Sequence, residues 1–148
     1  MKLIRLFMIA SLVLFFSEVS AQVTKVPQAA KDNFAKQYPA AENVEWSNEV
    51  LNVTVSFTID GEVMDAEYNN KGIWKSTLLD LPFEKFPAFV KDGFSKSKYA
   101  DREVTDAKKV YFPGGVTQYR VKAERNDFEK KYLFFNENGQ LVRETITL

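Results

Sequence analysis

The chain has 148 residues, with 20 basic and 20 acidic side chains, no histidine and no cysteine. The even balance of charge gives no electrostatic reason to bind nucleic acid or an anionic membrane surface. The missing residue types exclude Ser-His-Asp and Cys-His nucleophile pairs, disulfide bonds and the usual His/Cys sites for zinc and copper. Carboxylate, lysine, tyrosine or serine chemistry is still possible, as is no chemistry at all.

The first 21 residues have the pattern of a secretory signal peptide. Lys2 and Arg5 precede an apolar run at 6–16, and Val19-Ser20-Ala21 offers a cleavage site with small or aliphatic residues. The run is shorter than the ~20 apolar residues that a membrane-spanning helix needs, which disfavours a membrane anchor. We therefore expect cleavage before Gln22 and a mature protein that is periplasmic or secreted.

A repeat runs through the rest of the sequence. A series of residues that begins at Pro27 recurs in order 60 positions later, and the segment 68–72 aligns with 135–139. The matched pairs of the series are Pro27/Pro87, Lys31/Lys91, Asp32/Asp92, Phe34/Phe94 and Lys36/Lys96. Ordered matches of this kind indicate duplication of a structural unit. We therefore expect two copies of one unit, at 22–81 and 82–148.

Each copy within the single domain expected at 22–148 opens with an amphipathic helix, near 27–38 and 86–98. A proline stands at the start of each helix, where its missing N–H has no intrahelical partner anyway. Phe34 and Phe94 fall at helical spacing from other apolar residues. We therefore expect both phenylalanines to be buried in a core.

Strands follow each helix. Residues 51–59 alternate between apolar and polar side chains, which is the pattern of a half-buried antiparallel strand. Asp60-Gly61 then favours a type I′ hairpin turn, since both positions of that turn need a positive φ. The strands predicted for the first copy lie near 44–46 and at 51–59, 63–68 and 74–78. Those predicted for the second copy lie at 104–112, 116–124, 128–135 and 141–147.

One helix followed by four meandering strands, in tandem, predicts an α+β fold. The natural packing for these elements is an antiparallel sheet with both helices on one face. The other face of the sheet is then left open to water or to a partner.

The opening of the first copy resembles a known protein family. Residues 26–46 have the pattern V-P-x-x-A-K-x-x-F-x-x-x-Y-P-x-A-x-x-V-x-W, which is similar to the start of the PepSY-like family of exported bacterial proteins. That family is grouped with the beta-lactamase-inhibitor-like fold, and 69–74 and 138–141 fit the same pattern. The resemblance implies one curved sheet built from a tandem unit, and an exported, non-enzymatic binding or inhibitory module. It carries over no functional residue.

Four carboxylates cluster around the first predicted hairpin. Asp60 and Glu62 flank its turn, and alternation places Asp65 and Glu67 on one face of the next strand. Paired carboxylates can act as acid and base or hold Ca²⁺, but their spacing matches no dedicated calcium loop. A solvated strand face is the favoured interpretation, and we expect no catalytic residue, no metal site and no cofactor.

The second copy predicts a recognition surface on the helix-free face. Alternation along its middle strands turns several side chains away from the core, and the candidate partner-binding residues among them are Arg120, Lys122, Lys130, Tyr132 and Phe134. Exposed aromatic side chains interleaved with cations are typical of protein interfaces. The alternative is that a loop, the curvature of the neighbouring copy or a second chain covers Tyr132 and Phe134. A one-residue error in register would exchange the two faces.

Three functional classes are compatible with these patterns. The first is a non-enzymatic binding or inhibitory module that recognises an exported protein or peptide through its open sheet face. The second is a hydrolase that acts through carboxylates, which would need a pocket. The third is a structural component of the cell envelope.

Overall fold

The computed structural model describes residues 25–49, 51–126 and 128–146. The predicted signal peptide at 1–21 and its cleavage before Gln22 therefore lie outside the described residues. Within the described ranges, no helix has both the length and the apolar character needed to cross a membrane.

A helix and four strands occur twice along the chain. The first set consists of α1 (Gln28–Gln37), β1 (Glu42–Asn48), β2 (Asn52–Ile59), β3 (Glu62–Asn69) and β4 (Trp74–Asp80). The second set consists of a 3₁₀ turn (Phe83–Lys85), α2 (Ala88–Ser95), β5 (Glu103–Phe112), a second 3₁₀ turn (Pro113–Gly115), β6 (Val116–Glu124), β7 (Lys130–Asn136) and β8 (Leu141–Ile146).

The eight strands form one sheet in chain order, and every neighbouring pair is antiparallel. The sheet continues between the two sets of elements, because Leu78 on β4 pairs with Val110 on β5 and Asp80 pairs with Lys108. This arrangement confirms the predicted α+β class with an antiparallel sheet.

Proline sets the start of both helices. Pro27 and Pro87 occupy the N-cap positions with extended backbone, at ψ values of 134° and 144°. The predicted start of the second helix at 86 is wrong, because a residue that precedes proline is forced out of the helical region, and Phe86 has a ψ of 149°. The same helix also ends earlier than predicted, since the N–H and the hydroxyl of Ser97 both donate to the carbonyl of Phe94.

The hairpin turns show one confirmed prediction and one correction. Asp60 and Gly61 have φ values of 53° and 81°, as the predicted type I′ turn requires. The strand predicted to begin at Phe128 begins at Lys130, because the side-chain oxygen of Asn126 accepts hydrogen bonds from the N–H groups of residues 128 and 129 and extends the turn. The side chain of Phe128 is 97 % exposed.

Each helix packs against strands of its own half. The first core cluster contains Ala30, Phe34, Val55, Phe57, Ala66 and Tyr68. The second core cluster contains Phe86, Val90, Phe94, Tyr99, Tyr119, Val121, Ala123, Leu133 and Phe135. Phe34 and Phe94 are both buried, as predicted. The Phe34 ring meets Phe57 edge-on, with 5.0 Å between centroids, which is a favourable aromatic geometry.

Candidate functional site

The side chains that alternate with the core residues lie on the other side of the sheet, which we call the outer face. On β6, Val121 belongs to the second core cluster, so its neighbours Arg120 and Lys122 lie on the outer face. Across β5 to β8 the outer face carries Asp106, Lys108, Val110, Phe112, Gln118, Arg120, Lys122, Glu124, Lys130, Tyr132, Phe134, Arg143 and Thr145. All five residues selected from the sequence are therefore on this face.

Antiparallel pairing places these residues side by side. Phe134 on β7 lies between Arg120 on β6 and Arg143 on β8, and Tyr132 lies opposite Lys122. Directly opposed side chains of an antiparallel pair are close enough to interact. On the outer face, each of the two aromatic rings of β7 thus has at least one cation directly beside it on a neighbouring strand.

The prediction that Phe134 is exposed is wrong. Its side chain keeps only 8 % of its accessible surface, because the guanidinium carbon of Arg143 lies 3.7 Å from the ring centre. Tyr132 is half-buried, and the guanidinium carbon of Arg120 lies 4.5 Å from its ring centre. An arginine therefore lies against each ring, since arginine is attracted to the face of an aromatic side chain.

The cations selected from the sequence are engaged in ion pairs. Arg120 lies 2.8 Å from Asp106, while Lys122 and Lys130 lie 2.7 Å and 3.6 Å from the same carboxylate, Glu124. The hydrogen bond from Lys122 holds the pKa of Glu124 below its usual value and raises the pKa of Lys122 itself. Lys122 and Glu124 therefore stay charged at neutral pH and offset each other's charge.

A groove crosses the outer face from β3 to β8. It has a volume of about 250 Å³. Its walls are Glu67, Lys75, Ser76, Leu78, Val110, Phe112, Arg120, Phe134 and Arg143. A second concavity of about 300 Å³ adjoins it and shares Phe112 and Arg143. Of the five residues selected from the sequence, Arg120 and Phe134 lie in the walls of the groove.

Two of the carboxylates of the first hairpin lie in ion pairs with lysines. Asp65 lies 3.7 Å from Lys108 and Glu67 lies 3.2 Å from Lys75, so both are held in ion pairs. Asp60 is exposed at the hairpin turn. Among residues 25–49, 51–126 and 128–146, no group of three or more acidic side chains could hold a metal ion.

A separate pocket of about 320 Å³ lies beside α1. Its walls are Tyr38, Ile59, Met64, Trp74, Thr77 and Tyr111. The hydroxyl groups of Tyr38 and Thr77 share a hydrogen bond of 2.6 Å, and the indole of Trp74 donates to the same threonine at 2.9 Å. Burial raises the pKa of Tyr38, so this phenol stays neutral at physiological pH. The pocket offers apolar contact and no base.

The family of the chain follows from a match over most of its described length. Residues 51–143 match the family described as "Putative beta-lactamase-inhibitor-like, PepSY-like". The chain belongs to this family. The matched PepSY-like segment contains the walls of the groove and all five candidate residues of the outer face. It also contains the strands that contribute to the two core clusters. No curated protein matches the chain.

Solved structures of Bacteroides proteins have a similar fold. A DUF2874 family protein from Bacteroides ovatus is 27% identical, with a TM-score of 0.72 over 82% of this chain and 87% of that chain. A BLIP-like protein from Bacteroides fragilis is 25% identical, with a TM-score of 0.71 over 82% and 86%. A protein from Bacteroides eggerthii described as "putative periplasmic" is 21% identical, with a TM-score of 0.69 over 82% and 88%.

Proposed function

We propose that this protein is an exported, non-enzymatic module that binds a protein or peptide partner through its outer face. The observation that carries the proposal is the groove, which presents Arg120 and Arg143 already stacked on the rings of Tyr132 and Phe134. Arginine and aromatic side chains dominate the hot spots of protein interfaces. Because stacking holds the cations in place beforehand, binding would cost less side-chain entropy.

The comparisons support the same class of function. The family is described as beta-lactamase-inhibitor-like, and a protein with a similar structure is described as BLIP-like. An inhibitory module acts by occupying the surface of another protein. The candidate residues Arg120, Lys122, Lys130, Tyr132 and Phe134 would form or support the surface that does so.

The non-enzymatic part of the proposal rests on the chemistry of the groups present. The sequence has no histidine or cysteine to serve as a base or nucleophile near neutral pH. The hydrolase alternative needs free carboxylates, but Asp65 and Glu67 each contact a lysine. Each of these two carboxylates is thereby paired with a cation of a neighbouring strand.

We also infer that residues 22–81 and 82–148 are two copies of one unit within a single domain. Gly72 and Gly139, which follow β3 and β7, have φ values of 77° and 79°. A Cβ atom at these positions would lie 2.6 Å from the carbonyl carbon of Ala29 and 2.0 Å from the carbonyl oxygen of Phe89. The two contacted residues are 60 positions apart, which is the offset of the sequence repeat.

The placement of both helices on one side of the sheet is part of the same inference. Met64, which packs against the first core cluster, pairs with Leu79, and Leu79 pairs with Lys109. Lys109 in turn pairs with Tyr119 of the second core cluster. Directly paired residues share a face of the sheet, so this series supports one common core side and leaves the outer face free for a partner.

Export is proposed from the N-terminal sequence pattern of residues 1–21. The similar fold of the Bacteroides eggerthii protein described as "putative periplasmic" supports this location. The protein would then bind its partner in the periplasm or outside the cell.

Photo-crosslinking in the producing cells tests the proposed function. A photoreactive phenylalanine analogue replaces Thr145 on the outer face, and a matched variant carries it at Lys31 on the exposed side of α1. We expect a discrete crosslinked protein from the Thr145 position and none from the Lys31 position. Equal crosslinking from both positions, or crosslinking from Lys31 alone, would show that the outer face is not the binding surface.

A further inference from the structure

On the basis of the proposed function, we infer that Arg143 is the anchor of the outer face. Its ligand would be the side-chain carboxylate of an aspartate or glutamate within an extended segment of the partner. An apolar side chain next to that acid would occupy the concavity beside Arg143. Arg143 is not among the residues that the sequence pattern selected.

The ion pairs of the outer face distinguish Arg143 from the other cations. Five carboxylates each lie within 4 Å of a lysine or arginine: Asp65 and Asp80 at Lys108, Glu67 at Lys75, Asp106 at Arg120, and Glu124 at Lys122 and Lys130. In the part of the chain that the structure describes, Arg143 contacts no carboxylate, and its recorded partner is the ring of Phe134. Among the described residues of this face, Arg143 is therefore a cation whose charge is left complementary to an external acid.

The contact with Phe134 orients the guanidinium group of Arg143 for binding a carboxylate. A guanidinium group is planar, with all five N–H donors directed outward in its plane. The guanidinium carbon lies 3.7 Å from the ring centre, and a guanidinium group that stacks through one flat side would keep its donor edge available. A carboxylate can then accept two parallel hydrogen bonds from that edge, which is the strongest form of the arginine–carboxylate interaction.

The surroundings of Arg143 indicate what lies next to the acid. Arg143 lines both the groove of about 250 Å³ and the concavity of about 300 Å³. That concavity is lined by Phe112, Val116 and Val142 as well as Gln118, and both valines are about half exposed, at 49 % and 47 %. A segment that passes over Arg143 would meet both depressions, which favours an acid inside a chain over the carboxylate of a chain end.

Peptide titration of the exported protein tests this inference by NMR. The probes are acetyl-Gly-Asp-Phe-Gly-amide, the neutral isostere with Asn in place of Asp, and acetyl-Gly-Gly-Phe with a free terminal carboxylate. We expect the aspartate peptide to shift the Arg143 Nε–Hε signal and the ring signals of Phe112 and Phe134. The asparagine peptide and the free-terminus peptide should bind about tenfold more weakly or worse, since a hydrogen bond to a charged group contributes about 1.5–3 kcal/mol.

Variants of the exported protein separate binding from folding. Arg143→Gln should abolish the preference for the aspartate peptide, and Arg143→Lys should retain it only in part because lysine lacks the planar fork. The matched control is Arg125→Gln. Arg125 is an exposed arginine at the β6–β7 turn, and it pairs with Asp101. Thermal unfolding of each variant shows whether the fold is intact.

Each other outcome overturns the inference. Equal shifts from the aspartate and asparagine peptides, or no shift from either, would show that Arg143 selects no side-chain carboxylate. Preference for the free-terminus peptide would assign the site to chain ends. Unchanged binding in a folded Arg143→Gln variant would remove Arg143 from the site. In all of these cases, crosslinking from Thr145 would still decide separately whether the outer face binds a partner.

Discussion

The guanidinium carbon of Arg143 lies 3.7 Å from the centre of the Phe134 ring. This contact joins β8 to β7 on the side of the sheet away from the second core cluster, where Phe134 keeps only 8 % of its accessible surface. The ring and the cation have different roles as a result. Phe134 contributes to stability, while Arg143 presents a charge to the outside.

Phe134→Ala should destabilise the fold more than Tyr132→Ala. Removal of a buried phenylalanine costs about 3–5 kcal/mol, and we expect the lower end for Phe134 because its ring lies outside both core clusters. Tyr132 is only half-buried, so its loss should cost about 1 kcal/mol. Urea unfolding of both variants measures the difference. Equal midpoints for the two variants would mean that the Arg143 stack does not bury Phe134 in solution.

Phe34→Ala and Phe94→Ala should each lower the free energy of unfolding by about 3–5 kcal/mol. Each ring is in a core cluster beneath a helix and is less than a tenth exposed. The matched control is Phe128→Ala, whose ring is 97 % exposed and should change stability by no more than about 0.5 kcal/mol. Chemical denaturation provides the values, and a control variant as unstable as the core variants would refute these core assignments.

Stability should fall in acid partly through Glu144. The hydroxyl of Tyr99 donates to this carboxylate, Lys98 and Lys131 lie 3.4 Å from it, and these contacts hold the pKa of Glu144 below its usual 4.5. Because the folded-state pKa is lowered, the stabilisation is present above the unfolded-state value and is lost as pH falls through the folded-state value.

Glu144→Gln should therefore be less stable than the wild type near neutral pH, with a difference that shrinks as the medium becomes more acidic. Urea midpoints across the acid range measure this difference. The pKa values of Asp101 and Glu124 are also lowered, so both proteins should lose stability in acid and only their difference reports on Glu144. A difference that is constant with pH would argue against the Tyr99–Glu144 contact.

Gly72→Ala should destabilise the protein more than Gly61→Ala. Both glycines have a positive φ, which costs other residues about 1–2 kcal/mol. An added Cβ at Gly72 would also collide with the backbone of Ala29 at 2.6 Å, whereas nothing lies within 4 Å at Gly61. Thermal unfolding compares the two variants. Equal losses would show that the turn after β3 does not pack closely on α1.

The strands were predictable where burial on one side imposes strict alternation. Along β2, Val53, Val55 and Phe57 are buried and the residues between them are not. A one-residue shift would expose all three, so the pattern fixes both the strand and its orientation. The type I′ turn at Asp60-Gly61 was predictable for a related reason, since few residue pairs tolerate two positive φ values.

The position of Arg143 could not be read from the same pattern. Phe135 pairs with Leu141, but Phe134 pairs with Arg143, because Val142 is an extra residue in β8. Regular pairing from the hairpin would place Val142 opposite Phe134 and turn Arg143 to the core side. A bulge of this kind reverses the alternation without a distinctive sequence signal. The partners of the ion pairs could not be predicted from the sequence either. A long charged side chain can reach several others, and only the folded sheet determines which of them lie close to it.

Charge reversal at Arg143 tests most directly whether this residue anchors a partner on the outer face. Once crosslinking from Thr145 has identified a partner, calorimetry should compare the wild type with Arg143→Glu and with the exposed control Arg125→Glu. We expect the Arg143→Glu protein to remain folded and to lose about 2 kcal/mol of binding free energy or more, roughly a thirtyfold weaker affinity, while the control binds as the wild type does. A folded Arg143→Glu protein with unchanged affinity would contradict recognition of the partner through Arg143.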